Sequence, residues 1–335
     1  MPLQQDINHL AILMPSWVGD VVMASCVWQM AREKYPNATI TSVIRPNLAQ
    51  LLEGVQGIDN VLPLEMKSSV FTASSTLKKI HADAIVLLPN SIRAAIIARL
   101  ANIPHRVGYA RDWRTWLLTE GVQVKKHQTP EPTTEYYLHL ANVLFGMNNT
   151  CSIPSLEYTE KEESYLEEFS KPIVLLVAGA SKEQKRWSPK NFAKVADSLA
   201  ESGATCVGIG SPDEYELVEQ IADAAHSRVH NLTRSGITLS SLATVVAQAD
   251  LMITNDTGPR HLAVASGTPV ITMYGPTDYR WTKYDCENDI AILADPFLPE
   301  NLVADNNPDR CNINNIPSSD VIAIAQLILN NQNQP

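Results

Sequence analysis

Three turns in this chain bring together residue types that could do chemistry on an anionic, hydroxyl-rich ligand. The first is Ser16-Trp17-Val18-Gly19-Asp20, where a carboxylate stands at a helix start behind a glycine that allows close backbone approach. The second is Gly179-Ala180-Ser181-Lys182-Glu183-Gln184-Lys185-Arg186-Trp187-Ser188-Pro189. It sets two adjacent cations in front of a helix whose N-cap is Ser188 and whose first residue is Pro189, a combination suited to a phosphate. The third is Thr254-Asn255-Asp256-Thr257-Gly258-Pro259-Arg260-His261. The Thr257 and Gly258 amides open that helix, while Asp256 would repel a bare phosphate and is better suited to accept hydrogen bonds from sugar hydroxyls.

Each turn also has a plainer reading. Asp20 could be a first-turn acid favoured by the helix dipole, Lys185 and Arg186 a solvated basic loop, and His261 a packing residue. Absent motifs narrow the field. The chain has no D-x-D, no G-x-G-x-x-G after its first strand, no G-x-x-x-x-G-K-[ST] and no G-x-S-x-G. A diphosphate bound without the acidic motif that holds a metal must be neutralised by side-chain cations and backbone amides.

The elements that must position these turns alternate. The runs His9–Met14, Ala38–Ile44, Val61–Leu64 and Ala84–Leu88 read as strands covered on both faces, with helical patterns at Met23–Met30, Asn47–Leu52, Thr76–Lys79 and Ile92–Leu100 between and after them. A polar helix is expected near Thr159–Ser170. The alternation then resumes with strands at Ile173–Val177, Ala204–Gly210, Leu251–Thr254 and Pro269–Tyr274, and helices at Pro189–Ser202, Glu214–Ala225, Leu239–Gln248 and Gly258–Ser266. Residues 285–317 read as irregular, and Ser318–Leu329 as a closing amphipathic helix with Ser318 as N-cap. The fold class is therefore α/β, with two Rossmann-like doubly wound domains at 1–158 and 171–317 and a tail at 318–335 that packs back on the first domain. Ligands of such sheets bind beyond the strand carboxyl ends, so the Gly19-Asp20 and Asp256-Thr257-Gly258 turns are expected to line one interdomain cleft for a nucleotide-sugar.

Composition agrees with a soluble globular chain of 335 residues, 45% apolar and 19% charged. The N-terminus lacks a basic n-region, and no run approaches the ~18 apolar residues of a membrane span. Cys26, Cys151, Cys206, Cys286 and Cys311 are scattered and odd in number, which predicts reduced thiols in the cytoplasm and neither disulfides nor a zinc site. The net charge of −10 argues against a nucleic-acid stripe, but it is uneven. Residues 1–155 carry 13 Lys/Arg against 11 Asp/Glu, and residues 156–335 carry 13 against 25, so an anionic partner suits the first half better.

These turns, with Leu88-Pro89-Asn90-Ser91, Ile103-Pro104-His105-Arg106, Gly108-Tyr109, Gly210-Ser211 and Tyr274-Gly275-Pro276-Thr277, follow in an order and spacing that resembles the ADP-heptose:lipopolysaccharide heptosyltransferases, in particular the heptosyltransferase II branch. The resemblance spans nearly the whole chain. It implies GT-B architecture and inverting transfer of heptose from ADP-heptose to an inner-core sugar, with no metal or other cofactor. It makes Asp20 the catalytic base and Lys185 the cation at the leaving diphosphate. Arg186, Asp256, Thr257, Gly258 and His261 would bind the donor, with Glu214 or Asp213 on the ribose. Ser16, Trp17, Gly19, Asn90, Ser91 and Arg93 would bind the acceptor, an anionic lipid-linked glycan that draws the protein to the inner membrane face at most peripherally. Lys67, Arg106, Arg111 and Arg114 are further candidates to meet that anion, with solvated surface as the alternative for each. The Asn/Asp-rich 285–317 segment departs from the family pattern in being short of basic residues. Two other readings stand beside this one: a nucleotide-sugar 2-epimerase and a non-catalytic nucleotide-sugar-binding homologue.

Overall fold

The computed structural model describes residues 3, 6–124, 130–150, 153–158, 165–294, 302–304 and 311–332. The chain divides into two compact units, one of residues 1–128 and 133–160 and one of residues 129–132 and 161–335. Each holds a six-stranded sheet in which every pair is parallel.

In the first unit the strands are β1 (His9–Leu13), β2 (Thr39–Ile44), β3 (Asn60–Pro63), β4 (Ala84–Leu87), β5 (His105–Tyr109) and β6 (Glu120–Val122), in the order β3-β2-β1-β4-β5-β6. The helices are α1 (Val18–Met23), α2 (Ser25–Lys34), α3 (Val70–Lys78), α4 (Ile92–Leu100) and α5 (Thr133–Phe145). β1 and β4 are buried along almost their whole length, which is why they read as continuous apolar runs rather than alternating ones. The order reverses between them, so the turns after β1 and β4 flank the point where such sheets take ligands.

The second unit repeats the plan with β7 (Ile173–Val177), β8 (Thr205–Gly208), β9 (Val229–Asn231), β10 (Leu251–Asn255), β11 (Val270–Tyr274) and β12 (Asp289–Leu293). Its helices are α6 (Pro189–Glu201), α7 (Tyr215–Ala224), α8 (Leu239–Gln248), α9 (Gly258–Ser266) and α10 (Ser318–Gln332). The spatial order β12-β11-β10-β7-β8-β9 reverses between β7 and β10, the strands that deliver the second and third turns.

Several expectations are corrected. Asn47–Leu52 is a 3-10 segment, Pro46–Leu51, with proline in its first turn, and the helix expected at Thr76–Lys79 begins earlier, at Val70, capped by the Ser69 hydroxyl. The described part of the Glu-rich segment 159–170 is turn rather than helix, and its first residues, 159–164, lie outside the described residues. The 285–317 segment contains β12, paired in register with β11, and a 3-10 turn at Ile313–Asn315; residues 295–301 and 305–310 lie outside the described set. The closing helix α10 belongs to the second unit. Its buried stripe Val321, Ala325 and Leu329 joins the core beneath α6 in the second unit, and the Gln326 amide donates to the Ser198 hydroxyl at 3.3 Å. Four cysteines (Cys26, Cys206, Cys286 and Cys311) are free thiols, and Cys151 lies outside the described residues. Burial pushes the Cys26 and Cys206 thiols up to about 12, which keeps them protonated and unreactive.

Candidate functional site

In the first unit, β1 ends in Met14 and Pro15, and α1 starts with Trp17 as its N-cap residue in extended conformation. Asp20 falls in the first turn of that helix. Gly19 is buried within the helix and has no left-handed backbone, so no positive φ calls for glycine there. The Asp20 carboxylate is half-buried and, among the described residues, has no hydrogen-bond or ion-pair partner. Desolvation alone pushes its pKa above the usual carboxylate value. The charge also bears on Tyr137, a buried phenol on α5 whose own pKa is raised well above the ordinary value, by burial first and then by Asp20. A partly desolvated, unpaired carboxylate is what a general base requires. Trp17 beside it is 67% exposed.

The turn after β4 is held from below. Arg114 is fully buried, and its guanidinium donates to the carbonyls of Tyr109 (3.1 Å), Pro89 and Leu87 (3.4 Å) and to Asn90 Oδ1 (3.2 Å). Gly108 makes room for it: a Cβ there would stand 2.9 Å from the Leu87 carbonyl and 3.1 Å from Arg114 Nη2. The Asn90 amide donates to the Tyr136 hydroxyl at 2.8 Å. Tyr136 carries no sequence motif, yet it also hydrogen-bonds Arg111 and stacks at 4.2 Å on Tyr109.

Three cations expected at an anionic partner are engaged inside the fold, which corrects that expectation. Arg93 donates to the carbonyls of Met66 (2.7 Å) and Ser68, bracing the loop after β3. Arg106 is buried on the carbonyls of Leu117, Ile103 and Pro104, and Arg114 is the brace just described. Backbone carbonyls without another donor in a turn region recruit the nearest long cation, a demand that sequence spacing does not reveal. Ser91 is the N-cap of α4, accepting from the Ala94 amide at 3.1 Å. Lys67 and Arg111 remain exposed.

In the second unit, Asn255 ties the two switch-point turns together. It is fully buried, accepts from the Trp187 amide at 3.0 Å and donates to the Ala178 carbonyl at 2.7 Å. Trp187 is likewise buried and donates through its indole to the Ile316 carbonyl, while Ser188 caps α6 by accepting from the Asn191 amide. With its neighbours anchored, Lys185 reaches across to Asp256, Nζ to Oδ2 at 3.4 Å. Arg186 donates twice to the Ala180 carbonyl, at 3.1 and 2.9 Å, closing its own loop. Thr257 is the N-cap residue of α9 but makes no side-chain cap; Pro259 has no N–H and the Arg260 amide donates to the Thr257 carbonyl at 3.2 Å, which leaves the amides of Thr257 and Gly258 for a ligand at that helix start.

Glu214 lies at the carboxyl edge of β7 and β8. Its Oε2 accepts from the Ser211 amide (2.8 Å) and hydroxyl (3.0 Å), while a Cβ on Gly179 would fall 1.9 Å from Oε1. Asp213 beside it is exposed. His261 sits beneath the turn: it is 4% exposed and bonded through Nδ1 to the Tyr284 hydroxyl. Burial first, and then Arg260, push its pKa down to about 3, so it stays neutral and acts as a packing partner rather than an acid or a ligand-facing donor. Sequence reasoning passed over Arg260, Thr282 and Asp289, which form the polar floor under Asp256; the last two lie far along the chain, on segments without a recognisable motif.

Two doubly wound units, each with its chemistry-bearing turns at the strand-order reversal, define a two-domain α/β protein of the GT-B type. Residues 70–299 match the model of glycosyltransferase family 9 (heptosyltransferase), and the chain belongs to that family. It is 27% identical over 294 residues to lipopolysaccharide heptosyltransferase 2 of Escherichia coli (strain K12), covering 82% of this chain and 84% of that one. The fold is shared with the solved E. coli ADP-heptose LPS heptosyltransferase II, at a TM-score of 0.81 and 22% identity, over 97% of this chain and 100% of that one. It is shared too with a glycosyl transferase family 9 structure from Veillonella parvula DSM 2008, at a TM-score of 0.82 and 19% identity, over 98% and 99%. The chain is thus a glycosyltransferase by family, and the epimerase reading has no comparable support. Among the described residues no helix is long and apolar enough to cross a membrane.

Proposed function

We propose that this protein transfers a heptose from ADP-heptose, with inversion and without a metal, to an inner-core sugar of lipopolysaccharide or a related glycan. The observation that carries the reading is the Lys185–Asp256 pair beside the uncapped start of α9, within a chain that belongs to the heptosyltransferase family. An open helix N-terminus and a movable ammonium suit a departing diphosphate. Asp20 takes the proton from the acceptor hydroxyl as that oxygen attacks the anomeric carbon. Asp256 orients donor hydroxyls, with the amides of Thr257 and Gly258 on the diphosphate. Trp17 offers an exposed ring for a sugar face, and Lys67 and Arg111 are the exposed cations for an anionic acceptor. The protein works in the cytoplasm, meeting the inner membrane face only through its lipid-linked substrate.

The direct test is incubation with ADP-heptose and a truncated lipid core in the presence of EDTA. A mass gain of one heptose is expected; ADP-heptose consumed or altered without any acceptor would overturn the reading.

Glu214 is the better ribose ligand of the two acids, because its free Oε1 stands over Gly179 while Asp213 is exposed. Gly179→Ala pushes that carboxylate aside. Losing one charge-assisted hydrogen bond of roughly 1.5–3 kcal/mol should raise the donor KM by about tenfold or more while kcat holds, as read from initial rates.

A further inference from the structure

Asp256 is shared by two cations of opposite freedom. Lys185 ends a 3-10 turn on a flexible stem, is partly exposed, and holds Oδ2 at 3.4 Å. Arg260 lies one helical turn along α9 with no exposed surface, its Nη1 4.0 Å from Oδ1. It cannot move without breaking other contacts. Its Nε and Nη2 are taken by Asp289 at 3.2 and 2.6 Å, its Nη1 donates to the Thr282 carbonyl at 3.0 Å, and the rings of Tyr274 and Tyr284 flank it at 5.4 and 5.1 Å. The Thr282 hydroxyl lies 3.5 Å from Asp256 Oδ1. Asp289 opens β12, so the carboxylate is referenced through Arg260 to the sheet itself.

With Lys185, Arg260, Asp256 and Asp289 all ionised, the cluster is neutral before any ligand arrives. A diphosphate that draws Lys185 to itself takes away one of the two cations facing Asp256 and adds negative charge nearby. With Arg260 still facing its other oxygen, the carboxylate keeps a cation and a fixed place. We infer that Arg260 is a positioning residue: the fixed cation, locked by Asp289, that holds Asp256 in place and so lets Lys185 leave it for the diphosphate. This rests on the donor reading proposed above.

The test uses ADP as the probe, titrated calorimetrically into the full-length protein, with donor KM read from initial rates. Arg260→Met/Asp289→Leu removes both charges together, so neither partner is left buried and unpaired. Without the fixed cation Lys185 stays on Asp256, so this variant should bind ADP about tenfold more weakly than the parent and raise the donor KM by a similar factor, with its melting temperature near the parent's. Arg260→Lys, which keeps the charge but loses the bidentate hold on Asp289, should fall between the two and covers the case in which the double variant fails to fold. Parent-like ADP affinity and KM in a folded double variant, or in Arg260→Lys if only that one folds, would overturn the positioning role. A parent that does not bind ADP would overturn the donor reading itself, and a parent whose ADP binding is weakened by Lys185→Ala but not by either Arg260 variant would overturn the positioning role alone.

Discussion

Asp20→Asn should lower kcat by a factor of roughly 10²–10⁴, the range by which a positioned base accelerates a proton transfer, while leaving donor affinity close to the parent's. The same substitution should leave the melting temperature at neutral pH unchanged or raise it. The sign follows from the direction of the shift. Burial raises the folded-state pKa of Asp20 above its unfolded value, so this carboxyl favours folding below the unfolded value and loses that contribution as pH rises through the folded one. At pH 7 the ionised, partly desolvated carboxylate therefore costs stability, and a neutral amide of the same shape relieves that cost. Loss of activity combined with no loss of stability separates a catalytic base from a carboxylate that merely favours the start of α1. The pH dependence adds a second check. The acid limb of kcat/KM in the parent should lie above the usual range of an exposed aspartate and vanish from the residual activity of the variant. A folded Asp20→Asn protein that turned over normally would sink the assignment.

Strand-end turns were the most legible feature of this chain because three physical signals coincide there. Each of β1, β7 and β10 is a short, mostly apolar run, each is followed by small or helix-capping residues, and each places charge where strand order reverses. The helices α4, α8 and α9 read correctly to the residue, since their caps and apolar spacing agree. Strands β5 and β12 were not legible. β5 carries His105, paired with Glu120, and Arg106, held by the carbonyls of Ile103, Pro104 and Leu117, so its polar start hides the strand; β12 sits at a sheet edge between Asn- and Asp-rich flanks that mask its apolar core. α5 has a regular apolar stripe, Tyr137, Leu138, Ala141, Leu144 and Phe145, and Pro130 and Pro132 stand just before it, signals enough to mark this helix in the sequence.

The same distinction explains which site residues could be read. A cation in a sequence has no address, and Arg93, Arg106 and Arg114 look as available as Lys67 until the carbonyls they satisfy are placed. Their engagement takes three cations from the surface of the first unit, so the proposed contact with an anionic acceptor would rest on Lys67, Arg111 and neutral donors. Asn90 and Tyr136 form such a pair, and only the fold brings them together, across 46 residues of chain. Conversely, the Asp256 floor shows why a motif alone understates a site: Asp289 and Thr282 lie 33 and 26 residues beyond it and still set its charge environment.

Lys185→Ala should reduce kcat by about 10²–10³, the loss seen when one preorganised donor to a developing negative charge is removed, and should also weaken ADP binding. Both effects follow from the position of the ammonium. It stands beside the open amides of α9, where a diphosphate would lie, and it is the less constrained of the two cations facing Asp256. In the parent, forming the phosphate contact requires breaking a 3.4 Å pair with a mostly buried carboxylate, so part of the gain offsets that loss. Lys185→Arg should not restore the rate, because a planar guanidinium would prefer a two-point contact with Asp256 over a single turn toward phosphate. Lys185→Met keeps the stem and removes only the charge, and it should match the alanine variant in rate. A further consequence concerns salt. An exposed cation would lose most of its contribution over the Debye length of about 10 Å at 0.1 M, whereas Lys185, mostly shielded, should keep ADP affinity only weakly dependent on ionic strength. Steady-state rates with ADP-heptose, together with calorimetric titration of ADP at low and high salt, decide the matter. Parental rates in Lys185→Met would remove this residue from the leaving-group role and return it to the solvated basic loop that its local sequence equally allowed.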